Sequence, residues 1–221
     1  MKILFIGNSA TYVHEIPKTL AKLAKKLGHD VETAQITPGG CELVKHADIS
    51  GDHGQKVLDE INNGYDIVIL QDNGNCISSD KKRAACINAC ALLSDRARKT
   101  GAKVMIYVRP PYGYEKFGYT PFDMCDEFDK LFTKIAKEEN AECVFVNRAF
   151  AYVIKNREYD PWGPDHAHTS ELGAYLAVCT FFATIFGESA TSLDTCGIDD
   201  LVAKDIQNIA DKIVLEKYIP W

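Results

Sequence analysis

Five short apolar runs punctuate the chain: Lys2–Ile6, Val31–Ile36, Asp66–Leu70, Lys103–Val108 and Cys143–Val146. Most are nearly continuous. A strand with one face in water alternates apolar and polar residues, whereas a continuous apolar run belongs to a strand covered on both faces. The segments between them carry helical spacing. Ile16, Leu20, Leu23 and Leu27 follow the 3.6-residue period until Gly28 stops it. A second helix is expected from about Asp80 to Lys99, ending at Gly101, and Cys125, Phe128, Phe132 and Ile135 mark a third. Leu172 to Phe186 is apolar almost all round and should be deeply buried. Val202, Ile206, Ile209 and Ile213 share one face of a last helix, with Asp199 and Asp200 at its favourable N-terminal end. Strands alternating with helices predict an α/β fold around a parallel, doubly wound sheet.

The 221 residues, 46% of them apolar, suffice for one substantial core, and no linker or repeat divides them, so a single domain over 1–221 is expected. With 25 Lys and Arg against 31 Asp and Glu, and no basic stretch interleaved with aromatics, nothing matches a phosphate backbone; no nucleic-acid partner is expected. The opening run Met1–Gly7 is too short for a secretory signal, and no stretch approaches the roughly 20 apolar residues of a membrane span. These features predict a cytoplasmic protein with no membrane partner. Eight cysteines without a Cys-x-x-Cys then read as small buried hydrophobes, Cys86 and Cys90 sharing one helix face.

Ligands of open α/β sheets bind beyond the carboxyl ends of the strands. The residues there are Gly7-Asn8-Ser9-Ala10-Thr11, Pro38-Gly39-Gly40-Cys41, Gln71-Asp72-Asn73-Gly74-Asn75 and Arg109-Pro110-Pro111-Tyr112, with Asp165-His166-Ala167-His168 in a late loop. A serine hydroxyl needs a base to become nucleophilic. Three residues apart in a turn, Asp165 can reach the His168 ring, fix its tautomer and stabilise its charged form. The amides of Ser9 and Gly40 and the side chain of Asn73 would supply the donors of an oxyanion hole. Each residue has a plainer alternative: Ser9 or Thr11 capping a helix, Gly39-Gly40 and Asn73 making turns. His166-x-His168 would need further metal ligands that the spacing does not supply, so no metal is expected.

These blocks resemble the SGNH/GDSL hydrolases, named for Ser, Gly, Asn and His in separate motifs. Ser9 in Gly7-Asn8-Ser9, Gly40, Asn73 and Asp165-x-x-His168 match in order, and the match runs from the first apolar run to the late buried helix. The run after His168, Thr169-Ser170-Glu171-Leu172-Gly173, also resembles the family pattern. The first block departs from Gly-Asp-Ser, and Gln71-Asp72-Asn73-Gly74 replaces Gly-x-Asn-Asp, so Gln71 could share the role of Asn73. The resemblance implies a flavodoxin-like three-layer α/β/α sandwich with a five-stranded parallel sheet. It also implies hydrolysis of carboxylic esters by a Ser9–His168–Asp165 triad, without metal or organic cofactor.

His166 competes for the base, but one residue from Asp165 its ring should point away. Arg109, Tyr112 and Tyr114, in an aromatic segment running to Tyr119, are expected to line the substrate with Gln71; Tyr12 and His14 are further candidates. No long apolar loop suits a long acyl chain. The expected substrate is a small-molecule, short-acyl ester, an acetylated sugar being preferred. A non-catalytic carbohydrate- or small-ligand-binding module on the same scaffold is the rival, and a nucleotide binder is disfavoured because Gly7 lacks partner glycines.

Overall fold

The computed structural model describes residues 1–221. Five strands, β1 (Lys2–Ile6), β2 (Glu32–Ile36), β3 (Ile67–Leu70), β4 (Lys103–Tyr107) and β5 (Glu142–Val144), form one parallel sheet in the order β2-β1-β3-β4-β5. Every strand returns to the same end through helices, as parallel pairing requires. The helices are α1 (Ser9–Tyr12), α2 (Ile16–Lys26), α3 (Leu43–Ala47), α4 (Asp52–Asn62), α5 (Asp80–Lys99), α6 (Pro121–Glu138), α7 (Val146–Asn156), α8 (Glu171–Phe186) and α9 (Asp200–Val214).

Side-chain alternation divides the core into two. Ile3, Phe5, Ile67, Ile69, Met105 and Tyr107 face α2, α7, α8 and α9. Leu4, Ile6, Val68, Leu70, Val104 and Ile106 face α3, α4, α5 and α6. Both faces of the central strands are therefore dry, which is why their sequences run apolar throughout. β2 and β5 are the edge strands, and β2 is only partly buried. The result is the expected three-layer α/β/α sandwich.

α8 is buried continuously from Gly173 to Ala183 and ends where Gly187 adopts the left-handed conformation. Phe181 packs edge-on against Phe5 of β1 and Tyr107 of β4, at centroid distances of 5.5 and 4.9 Å, and so fastens α8 across the middle of the sheet. Seven cysteines are buried and Cys196 is exposed. No helix is long and apolar enough to cross a membrane.

Some expectations shift. The last apolar run is divided: β5 stops at Val144, and Val146 already begins α7. Leu27 caps α2 rather than extending its buried face, and is 37% exposed. The sequence reading leaves α3 and α4 out: α3 is only five residues long, and α4 buries no more than a narrow stripe of Gly54, Val57 and Ile61 on an otherwise polar helix.

Candidate active site

The strand order reverses between β1 and β3, and the crevice beyond that point is where a doubly wound sheet offers a ligand site. Ser9 follows β1, Gly40 follows β2, and Asn73 follows β3. Asn8 caps α1 by accepting from the Ala10 N–H and anchors sideways by donating to the Cys41 carbonyl at 2.8 Å. Ser9 is thus presented on a short turn tied to the neighbouring loop.

His168 arrives from the loop before α8. Its Nδ1 lies 2.6 Å from Asp165 Oδ2, and its Nε2 lies 2.8 Å from Ser9 Oγ. A carboxylate only accepts, so Nδ1 carries the proton and Nε2 presents its lone pair to the Ser9 hydroxyl, which donates. The other Asp165 oxygen accepts from the N–H groups of Ala167 and His168, each at 3.0 Å. The bond to the His168 ring, followed by these two backbone N–H groups, pulls the Asp165 carboxyl down to about 2. It is therefore ionised at any ordinary pH.

The loop itself is tightly held. The Gly163 N–H donates to the His168 carbonyl at 2.8 Å, the Ser170 N–H to Pro161 at 2.9 Å, and the Trp162 indole to the Pro111 carbonyl at 3.0 Å. Ser170 caps α8 by accepting from Gly173. A Cβ on Gly173 would fall 2.1 Å from the Pro161 carbonyl oxygen, so only glycine lets the loop lie against the helix. His14 Nε2 donates to the Thr169 carbonyl at 3.0 Å, joining the segment after α1 to the same loop. His14 and Glu15 both hold left-handed backbone, with φ of 56° and 52°.

The expected oxyanion donors are brought side by side. Asn73 Nδ2 donates to the Gly40 carbonyl at 3.2 Å, while its Oδ1 accepts from the Asn75 N–H and the Tyr112 hydroxyl. The N–H groups of Ser9 and Gly40 make no hydrogen bond within the protein. Gly40 has φ of 66°, a conformation that suits glycine.

Three residues expected to line the substrate are instead buried supports. Gln71 is 1% exposed; its Oε1 accepts from the Asn8 N–H at 2.9 Å and the Thr11 hydroxyl at 3.0 Å, and its amide donates to the Asp72 carbonyl. Gln71 therefore holds the Ser9 turn from beneath. A Cβ on Gly7 would meet Gln71 Oε1 at 2.6 Å, which explains the glycine there. Arg109, 4% exposed, donates to Pro110 and Ala167 carbonyls and lies 4.6 Å from the Tyr112 ring centroid. Tyr112 is 7% exposed, with Arg109 and Lys116 both lying against its ring. Tyr114 and Tyr12 remain open to solvent. His166 is exposed and 3.9 Å from Asp160, away from the Ser9 hydroxyl.

Asp72 was not anticipated. Buried behind the site, its Oδ1 accepts from the N–H groups of Leu43 and Asn73 at 2.8 and 2.7 Å, tying two of the converging loops together. Burial pushes its carboxyl up against the pull of those bonds. A polar Gln-Asp pair directly after a fully apolar strand was the available signal. Ser9 and His168 are both half-buried.

No protein-family model and no curated protein matches the sequence. Among solved structures, a candidate SGNH hydrolase from Slackia heliotrinireducens superposes with a TM-score of 0.71 at 26% identity, over 84% of this chain and 98% of that one. A DUF4886 family protein from Bacteroides uniformis superposes at 0.79 and 18% identity, over 98% and 95%. A variant of Axe2, an acetylxylan esterase from Geobacillus stearothermophilus, gives 0.62 at 17% identity over 85% and 94%. In strand order, layering and the superposition of 84% of its length on an SGNH hydrolase, the chain has the fold of the SGNH/GDSL hydrolases.

Proposed function

We propose that this chain is a serine esterase that hydrolyses short-acyl carboxylic esters, acetylated carbohydrate being the preferred class. The observation that carries the reading is the unbroken hydrogen-bond chain from Ser9 Oγ through His168 to Asp165, at 2.8 and 2.6 Å. In the proposed reaction Ser9 Oγ attacks the ester carbonyl carbon while its proton passes to His168 Nε2. The carbonyl π pair moves to oxygen, and that oxyanion is met by the free N–H groups of Ser9 and Gly40 and by Asn73 Nδ2. Collapse breaks the bond to the alcohol oxygen, which takes the proton from His168. Water then repeats the sequence on the acyl-enzyme, releasing the acid and restoring the Ser9 hydroxyl.

The solved structures support this direction. Two Axe2 variants described as catalytic mutants are altered at a serine and at a histidine. The exposed Tyr12 and Tyr114 suit stacking on a sugar face. The test is labelling by a fluorophosphonate probe together with hydrolysis of an acyl series. Labelling and turnover should both vanish in Ser9→Ala, with acetyl esters preferred over long-chain esters. A Ser9→Ala protein that keeps near-native turnover defeats the assignment.

A further inference from the structure

The sequence reading expects no metal, because no ligand spacing suggests one; the fold nonetheless gathers three ligand-type side chains beside Gly40. Cys41 Sγ, a ring nitrogen of His46 and one of His53 all lie within 4.8 Å of one another. Cys41 precedes α3, His46 lies on it, and His53 opens α4, so one short stretch of chain supplies all three.

The tautomer of His46 is set by its surroundings. Its Nε2 lies 2.8 Å from the Gly7 carbonyl oxygen, which only accepts, so Nε2 carries the proton and Nδ1 has the lone pair. That Nδ1 faces His53 Nε2 at 3.0 Å. A histidine whose outer N–H is held by a backbone carbonyl while its other nitrogen faces inward is the arrangement that orients metal-bound imidazoles. Two nitrogens bound to one tetrahedral Zn²⁺ at about 2.0–2.1 Å stand roughly 3.3 Å apart, close to the spacing already present. Cys41 and His53 also line a recess of about 300 Å³ with Pro38, Gly39, Gly40 and Lys45, which gives an ion and a water access.

We propose that Cys41, His46 and His53 form a Zn²⁺ site, with a water from the recess as fourth ligand. One thiolate and two imidazoles are the donor set that a borderline-soft divalent cation selects. On binding, the Cys41 thiol gives its proton to solvent, and His53 exchanges the proton on Nε2 for one on Nδ1. Lys45 opposes the added charge, but it is exposed and its field is screened by water. The other cluster of this kind, Asp72, Cys76 and Cys86, is wholly buried, and Asp72 is already engaged by two backbone N–H groups. It offers an ion no comparable entry.

The proposal is independent of the hydrolase reading, and its test reads binding directly. Metal-free full-length protein is titrated with Co²⁺ while the near-ultraviolet thiolate-to-cobalt band and the visible bands of tetrahedral cobalt are followed. The expected result is saturation at one ion per chain, displacement by Zn²⁺, and identical behaviour in Cys196→Ser and Cys76→Ala. Cys41→Ser should lose the thiolate band. His53→Ala, at a half-buried position, should weaken binding by more than about 100-fold, beyond the 10–100-fold typical of outer-sphere partners. The proposal is overturned by no band in the native chain, by a band that survives Cys41→Ser, or by one that follows Cys196 or Cys76. Should Cys41→Ser fail to fold, unchanged affinity in His53→Ala overturns it alone.

Discussion

At the scale of residues, Asp165 does two things with its two oxygens. One holds the His168 ring; the other closes the turn by accepting the N–H groups of Ala167 and His168. Asp165→Asn keeps the size but removes the charge, and an amide can donate to Nδ1 and turn the ring to the wrong tautomer. Under the proposed mechanism kcat should fall by about 10³–10⁴-fold with KM little changed, as measured on an activated acetyl ester. The pH dependence of stability follows from the same group. Its folded-state value, about 2, lies below the ordinary 3.8, so the native state binds fewer protons than the unfolded chain between them. The stabilising contribution is therefore complete above that ordinary value and lost as pH falls through about 2. Acid unfolding of native protein and Asp165→Asn should differ above this window and converge below it; a difference persisting at lower pH would contradict the assignment. Asp165, His168 and Ser9 were readable from the chain because an Asp-x-x-His turn is local and Ser9 directly follows a strand. The inward turn of Gln71, Arg109 and Tyr112 was not, since polar residue type says nothing of which side of a loop is covered.

Among the elements, α8 seats the loop that carries Asp165 and His168. Its first turn is packed so closely on the Asp160–His168 loop that the Gly173 Cα lies against the Pro161 carbonyl. Gly173→Ala should push that loop outward; a displacement near 1 Å at His168 is expected to cost roughly 100-fold in kcat. Fluorophosphonate labelling of Ser9 should slow in parallel, while circular dichroism retains the native helix content. Unaltered turnover in Gly173→Ala would mean that the loop is held by other contacts. α8 was legible as a helix because its apolar run exceeds the length of any strand here. β5 and α7 were confused because a run of four apolar residues has no period long enough to separate strand from helix. α3 and α4 were missed for the related reason that their turns are few or polar.

For the molecule as a whole, the sheet is a rigid platform between two cores, and the site depends on it only at one edge. Phe181, fully buried, joins α8 to Phe5 and Tyr107 towards the carboxyl ends of β1 and β4. Phe181→Ala should cost about 3–5 kcal/mol, read as a shift in the denaturant midpoint at unchanged slope. Ser9→Ala should leave that midpoint within about 0.5 kcal/mol, because Ser9 supports no packing. A large loss of stability in Ser9→Ala would show that the Ser9 turn is structural.

What the amino-acid order determined by itself was everything carried by neighbours along the chain. The continuous apolar runs implied strands covered on both faces, the 3.6-residue spacing implied covering helices, and Asp165-x-x-His168 implied a carboxylate on an imidazole. What only the tertiary structure decided was convergence across the sheet. Placing β1 between β2 and β3 brings Asn8, Cys41 and Gln71 together, although they lie far apart in the chain. Burial then selects which polar groups must turn inward to find partners, and that choice depends on long-range packing that no local periodicity encodes.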